Sequence, residues 1–472
     1  MIYRDLNHIK DKKFFSIIIG SGPAGISLAL KLENKGFNSL IIEAGDLEGS
    51  NNDYNLLNGK TFGDTYTDLE HTRLRQFGGT SAIWGGNCSI FNKSDIKKWG
   101  IDYKDYLKFI NEAKKILNVS DNFYINDIDK NLNVFNVKWS NVKFAEKYFK
   151  HIKNSKKIHI VFNTVFKSLN GKKGKVDSIV CSNDKLNKNL KAEKFIICCG
   201  GMENSRLLLF SQKKNPDLFK FDLPIGQFYN DHPKKNIGKG IINKDKLNNL
   251  FGNMNLNDHP FIDCENLNFS LQSNYLKSSN FLNSGLILRL KREKPNVKFI
   301  QQLSCIAPNY FKKIYSDIQN QKIYEFNLSI IQEQELNRNN KIQIDPIMSD
   351  KYGIPKITLN WTLSENFKLS KNKILENFSS FLIDNDLGRV ALNSDYEENK
   401  DLTVGFHQLG GTRMGNDKND SVVDRNLLVH GFENLYISGS STFRTGGIAF
   451  PTLTIVALSC RLGDSITKNY ES

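Results

Sequence analysis

The clearest chemistry in the chain lies in Gly20-Ser21-Gly22-Pro23-Ala24-Gly25. A Gly-x-Gly-x-x-Gly run between an apolar strand and a helix suits a dinucleotide. Gly20 permits a tight turn, Gly22 lets the backbone approach a pyrophosphate, and Gly25 lets helix and strand pack closely. The helix N-terminus then meets the phosphates with its unpaired N–H groups and its dipole. Glu43, followed by Ala44, closes the next apolar run, where an acid accepts hydrogen bonds from ribose hydroxyls and disfavours a 2′-phosphate. The motif alone leaves NAD and FAD open. For proton transfer a neutral His is well suited near pH 7. The chain has 8 His, and composition favours none of them. Its 7 Cys (Cys88, Cys181, Cys198, Cys199, Cys264, Cys305, Cys460) show no C-x-x-C, so neither a disulfide framework nor a zinc knuckle is indicated and a reducing, cytoplasmic setting is expected. Lacking a second dinucleotide motif and a reactive dithiol, the sequence does not read as a flavin disulfide reductase.

The elements that must position these groups are legible in part. Residues 14–19 form a short buried-strand pattern, 24–35 show helical apolar spacing ended by Gly36, and 39–43 form a second strand, giving a βαβ unit. Further strands are predicted at 158–162, 194–199 and 434–438, helices around 105–117 and over 452–466, and a long strand-prone region over about 240–395. Such scattered sheet material predicts a nucleotide domain assembled from separated pieces. The length of 472 residues fits two or three domains, and 39% hydrophobic with 24% charged residues describes an ordinary globular chain. No stretch approaches the roughly 20 apolar residues of a membrane span. Basic Lys10, Lys12 and Lys13 before the first apolar run mimic a secretory leader, but the glycines and proline that follow fit a strand and turn better. The net charge of +15 points to nucleic acid, an anionic surface or an acidic substrate, yet no nucleic-acid motif accompanies it. Lys-rich stretches at 153–157, 167–175 and 213–220 read as solvated surface on a Lys-biased chain.

A second glycine-rich segment runs from Arg73 through Phe77-Gly78-Gly79-Thr80-Ser81-Ala82-Ile83-Trp84 to Asn87, and an ordered series follows near the C-terminus: His407-Gln-Leu-Gly-Gly-Thr412-Arg-Met414-Gly415, Val423-Asp424, His430-Gly431, Gly439-Ser440 and Pro451-Thr452-Leu-Thr454. Between them stand Cys199-Gly200-Gly201-Met-Glu203-Asn-Ser205-Arg206, Gly226-Gln-Phe-Tyr-Asn230-Asp231-His232-Pro233, Glu333-Gln334, Asn337-Arg338 and the turn from Asp350 to Pro355. This combination resembles the glucose–methanol–choline oxidoreductase family, in its short bacterial and pyranose-oxidase-like branch.

The resemblance implies an α/β (α+β overall) fold: a discontinuous Rossmann-like FAD-binding domain over 1–100, 155–238 and 400–472, with a substrate domain built on an antiparallel sheet with helices over 101–154 and 239–399. It implies that Gly20, Ser21, Gly22, Pro23, Ala24, Gly25, Glu43 and Ala44 hold the ADP half of FAD, with Val165 near adenine. Gly78, Gly79, Thr80, Ser81, Trp84, Asn87 and Gly200 would line the pyrophosphate and flavin, and Gly439, Ser440, Phe450, Pro451 and Thr452 the ribityl chain and pyrimidine edge. Ile83 occupies the position at which some members attach FAD through a His, so non-covalent FAD is expected. His407 falls at the family's catalytic position, as the base for oxidation of an alcohol or sugar with hydride transfer to flavin N5. His232 and His430 are expected to serve turns, while His8, His71, His151, His159 and His259 carry no motif. The family's second polar partner, Asn or His, is replaced by Phe450, which can neither donate nor accept a hydrogen bond. Phe450 therefore leaves an alternative: a flavoprotein of the same fold with altered or non-redox chemistry. A basic nucleic-acid-binding protein is the remote alternative. The expected partners are a small alcohol or sugar, possibly anionic, and an electron acceptor that is oxygen, a quinone or a redox protein.

Overall fold

The computed structural model describes residues 1–470 apart from 5, 10–11, 50–54, 120–121, 184–185, 254–265, 292–297, most of 300–321, and 400. Lys10, His259, Cys264 and Cys305 lie outside the described residues.

The five apolar runs predicted as strands assemble, together with the unpredicted Ile2–Tyr3, into one parallel six-stranded sheet. Its order is Ile2–Tyr3, Ile158–Val161, Ser39–Ile42, Phe14–Ile19, Ala192–Ile197, Leu435–Ile437. Every pairing in it is parallel. Such a sheet is covered on both faces, which is why its strands read as unbroken apolar runs rather than alternating ones. Helix Pro23–Asn34 follows the first of these runs and packs with the C-terminal helix Pro451–Thr467. The strand expected over 194–199 ends at Ile197, so Cys198 and Cys199 begin the turn that follows it. Among the described residues Cys88, Cys181, Cys198, Cys199 and Cys460 are free thiols, and no helix is long and apolar enough to cross a membrane.

A seven-stranded antiparallel sheet forms the second layer, in the order Gly388–Leu392, Lys234–Asn243, Ile323–Gln332, Ser284–Leu290, Asn266–Leu271, Leu132–Phe135, Ile125–Asp127. Helix Glu365–Asp384 packs Ile374, Phe378, Phe381 and Leu382 onto one of its faces. Ser364 caps that helix by accepting from the Phe367 N–H. The segment 101–154, assigned above wholly to the second domain, is divided. Helix Tyr103–Ile116 buries Tyr106, Phe109 and Ile110 in the same core as the parallel sheet, whereas the strands at 125–135 join the antiparallel one. Conversely, strand Gly59–Gly63, within the first expected flavin segment, pairs with Pro355–Trp361 in a small sheet completed by Lys341–Ser349. The chain therefore crosses between the layers more often than the motif order alone implies.

Candidate active site

All the residues singled out as site candidates, except Gly25 and Gly78, line one cavity of about 510 Å³. The cavity runs from the Gly20–Gly25 turn, past Glu43, Val165 and the Gly79–Ser81 loop, to His407, Phe450 and Thr452. The two exceptions act through the backbone. A Cβ on Gly25 would lie 2.0 Å from the Gly20 carbonyl oxygen, so this glycine serves the close helix–strand contact. Gly78, at φ +80°, donates its N–H to the Ser21 carbonyl at 3.1 Å, tying the second glycine loop to the first.

Three helices begin at this cavity without a side-chain cap, at Gly22, Gly200 and Phe450. Their first N–H groups and the positive ends of their dipoles are available to an acceptor-rich ligand. A Cβ built on Gly22 meets no protein atom within 4 Å, and the same holds for Gly200 at φ +89°. A backbone cradle open on its cavity side, with uncapped helix ends around it, fits the pyrophosphate and the polar ring edge of FAD. Glu43 lines the same cavity. It accepts from the Ser21 N–H (3.1 Å), the Gly45 N–H (2.8 Å) and the Ser21 hydroxyl (2.5 Å), so the chain itself fixes the carboxylate orientation. Burial raises its pKa, and these three bonds work against that rise.

At the other end the sequence reading needs a correction. His232, expected to serve a turn, is in direct contact with His407, Nδ1 to Nδ1 at 3.0 Å. Burial lowers the pKa of His232 to about 4, so the ring is neutral near pH 7. Its Nε2 lies 2.9 Å from the Gly446 carbonyl oxygen, which only accepts, and the single ring proton of His232 therefore sits on Nε2. His232 Nδ1 is then an acceptor and His407 Nδ1–H must donate to it. Consequently the neutral His407 carries its lone pair on Nε2, which makes no hydrogen bond among the described residues. Burial, His232 and Lys234 all push the His407 pKa well below its ordinary value, favouring this neutral form. His430, the other expected turn residue, meets the Ser421 hydroxyl at 2.9 Å.

Asp231 anchors the same loop. Its carboxylate accepts from the N–H groups of Gly405 (2.6 Å), His232 (2.7 Å) and His407 (3.2 Å) and from the Tyr66 hydroxyl (2.7 Å), which also meets Tyr229 at 2.6 Å. Phe450 stands edge-on to His407, with ring centroids 5.4 Å apart at 79°, and offers an apolar wall where a polar partner was expected.

Sequence reasoning did not place Arg73 or Arg206 at the cavity, although both line it and share the largely buried Glu203. The one available signal was the Glu203–Arg206 spacing directly after the Gly200-Gly201 turn, which puts the pair on one helix face.

Comparison with known proteins agrees with this geometry. The GMC oxidoreductase family model matches residues 337–459, and the pyridine nucleotide-disulphide oxidoreductase model matches 17–145, the region of the βαβ unit and both glycine loops. Over 131 residues the chain is 33% identical to 2-methyl-1,2-propanediol dehydrogenase of Mycolicibacterium austroafricanum, covering 28% of this chain and 23% of that protein. Over 291 residues it is 24% identical to the fructose dehydrogenase large subunit of Gluconobacter japonicus, covering 60% and 48%. The matched part thus spans less than half the length of either relative. In fold it is similar to pyridoxine 4-oxidase from Mesorbium loti, with a TM-score of 0.61 and 14% identity over 96% of this chain and 99% of that one. The chain thus has a parallel nucleotide sheet, an antiparallel second sheet and, over residues 337–459 with the His407 motif inside them, the C-terminal part of a GMC oxidoreductase.

Proposed function

We propose that the protein is an FAD-dependent oxidoreductase that converts a CH–OH group to a carbonyl, with His407 as the base. The observation that carries this reading is the His407–His232 contact, which leaves an unprotonated Nε2 on a cavity wall. FAD, when bound, accepts the carbon-bound hydrogen with its electron pair. The chain's own part is the proton. His407 Nε2 takes it from the substrate hydroxyl as the C=O bond forms, and the imidazolium charge is shared with His232 Nδ1. Asp231 keeps the loop in place by holding three backbone N–H groups. The lowered pKa of His407 keeps the base free near pH 7 and also makes it a readier donor of the proton afterwards.

Gly20, Ser21, Gly22, Glu43, Gly79, Ser81, Gly439 and Thr452 are the residues we assign to FAD, with Gly25 and Gly78 supporting them through packing. Ile83 has no group to attach a flavin, so the cofactor is held without a covalent bond at this position. Phe450 acts as an apolar wall that excludes water from the reacting carbon and stacks on the unreactive face of the substrate. Phe450 makes no hydrogen bond to His407, and the group that orients the base is His232, Nδ1 to Nδ1 at 3.0 Å.

The test is to purify the protein and follow flavin absorbance under anaerobic conditions with sugars, polyols and lipid alcohols. The purified protein is expected to be yellow and to release its chromophore on denaturation. It is also expected to bleach with an alcohol and to recover with air or a quinone dye. A colourless protein whose ligand affinity falls steeply with salt would overturn this reading in favour of a nucleic-acid partner.

A further inference from the structure

The seven-stranded sheet has two unlike faces. One is apolar, where Leu267, Leu286, Leu328 and Ile330 pack against Phe378 and Leu382 of helix Glu365–Asp384. The opposite face follows from the register: Lys234 pairs with Ile331 and Asn236 with Ser329, while Ile287 and Arg289 of the next strand pair with Ser329 and Asn327. Alternation places these residues together on the side away from the helix. That side therefore presents the amides of Asn236 and Asn327 and the hydroxyl of Ser329 beside two cations.

The two cations differ from their sequence neighbours. Lys235 is paired with Asp395 at 3.0 Å and Lys291 with Glu325 at 2.5 Å. Lys234 and Arg289 have no side-chain hydrogen bond or ion pair among the described residues. Lys234 is nevertheless half-buried, and its main chain is bridged to Thr403, on the segment that leads to His407. The charge of Lys234 is felt at His407, and that of Arg289 at Lys234, in each case lowering the basicity of the neighbour. A half-buried Lys234 with a like charge, the exposed Arg289, near it on the same face costs free energy that is relieved when an anion binds.

We propose that Lys234 and Arg289 form an oxyanion subsite, so that the alcohol presented to His407 belongs to a hydroxylated molecule bearing a carboxylate or phosphate. Asn236, Asn327 and Ser329 lie along the same face to meet its hydroxyl groups. The inference rests on reading the His407 site as one that oxidises CH–OH groups, and it adds the class of substrate.

The test compares glucose, glucuronate and glucose 6-phosphate as probes of the flavin-loaded protein. Binding is read from the perturbation of the oxidised flavin spectrum and turnover from anaerobic bleaching. At least one of the two anions is expected to bind about tenfold or more tightly than glucose at low salt, with the advantage shrinking as salt is raised. In Lys234→Gln and Arg289→Gln, and more so in the double variant, the ratio of anion to glucose affinity is expected to fall towards one. Flavin content reports whether each variant is folded. Equal binding of all three probes, or an anion preference that survives in the double variant, would overturn the subsite. Bleaching by neutral alcohols with no preference for charge would remove the subsite and leave the oxidoreductase reading standing. Charge-selective binding without bleaching by any alcohol would do the reverse.

Discussion

At the scale of single residues the site turns on which nitrogen of His407 is free. Replacing His407 by Ala should lower the rate of flavin reduction by about 10²–10⁴-fold while the flavin stays bound, because a positioned base contributes on that order. Full retention of the rate in anaerobic mixing would remove the base assignment. His232 acts through His407 and is a positioning residue, so its variants should be graded. In His232→Asn an amide oxygen is available near the Nδ1 position, and most of the rate should survive. His232→Leu removes the acceptor, frees the His407 ring to flip its tautomer, and should cost about tenfold or more in flavin reduction. A purely structural His232 would give losses that track stability in both variants rather than the acceptor. The pH dependence has a definite sign. As the proposed base His407 must be neutral, and its pKa is lowered, so the rate should be flat through neutral pH and fall only in acid, with a midpoint below 6.5. Lys234→Gln removes one of the charges that lower it, so with a neutral alcohol the acid limb should move to higher pH.

At the scale of elements, two glycines in the same turn separate binding from folding. Gly22 has extended backbone at φ −72° and ψ −174°, and a Cβ there meets no protein atom within 4 Å. Gly22→Ala should therefore leave the stability of the apoprotein unchanged while the added methyl, standing in the path of the pyrophosphate, lowers flavin content and affinity. Gly25→Ala drives a methyl into the Gly20 carbonyl at 2.0 Å and should cost about 2 kcal/mol or more in apoprotein unfolding, whatever it does to flavin. Equal effects of the two substitutions on apoprotein stability would contradict this division of roles. The same turn shows what a sequence can disclose. Strand Phe14–Ile19, helix Pro23–Asn34 and strand Ser39–Ile42 were legible because a glycine motif and unbroken apolar runs fix a local βαβ unit. Helix Glu365–Asp384 was not, because its Lys, Asn and Ser content hides Phe367, Ile374, Phe378 and Phe381 within a strand-prone region, although Ser364 was a usable start signal. His407 was found by its motif. Its contact with His232 was hidden by 175 positions of chain and by the absence of any local pattern joining them. That Phe450 carries no hydrogen-bonding group is plain from its identity, but which side chains surround His407 is a tertiary fact.

At the scale of the whole molecule, the question is what fastens the small sheet of Lys341–Ser349, Pro355–Trp361 and Gly59–Gly63 to the nucleotide-side helix when the chain passes repeatedly between separate sheets. A buried ion network supplies one answer. Arg206, on the helix after the parallel sheet, donates to Glu203 (3.0 Å), to Asp350 (2.8 Å) and to the carbonyls of Ile354 (3.1 Å) and Pro355 (2.7 Å), while Arg73 from the flavin-side loop reaches the same Glu203 at 3.1 Å. Burial works to raise the Glu203 pKa, but the two guanidinium groups outweigh it and hold the carboxyl below its ordinary value. Asp350 in turn organises its own turn by accepting from the N–H groups of Tyr352 and Ile354. One guanidinium thus joins the nucleotide-side helix to the turn between Lys341–Ser349 and Pro355–Trp361. Removing one member of a buried pair typically costs about 3–5 kcal/mol because the remaining charge is stranded, whereas removing both charges costs less. Arg206→Met should accordingly lower apoprotein stability by roughly that amount, and Arg206→Met combined with Asp350→Asn should recover part of the loss by discharging the stranded carboxylate. Urea unfolding of the three proteins decides it. A loss under about 1 kcal/mol in Arg206→Met would place this network with surface ion pairs and leave the fastening of the small sheet to apolar packing alone.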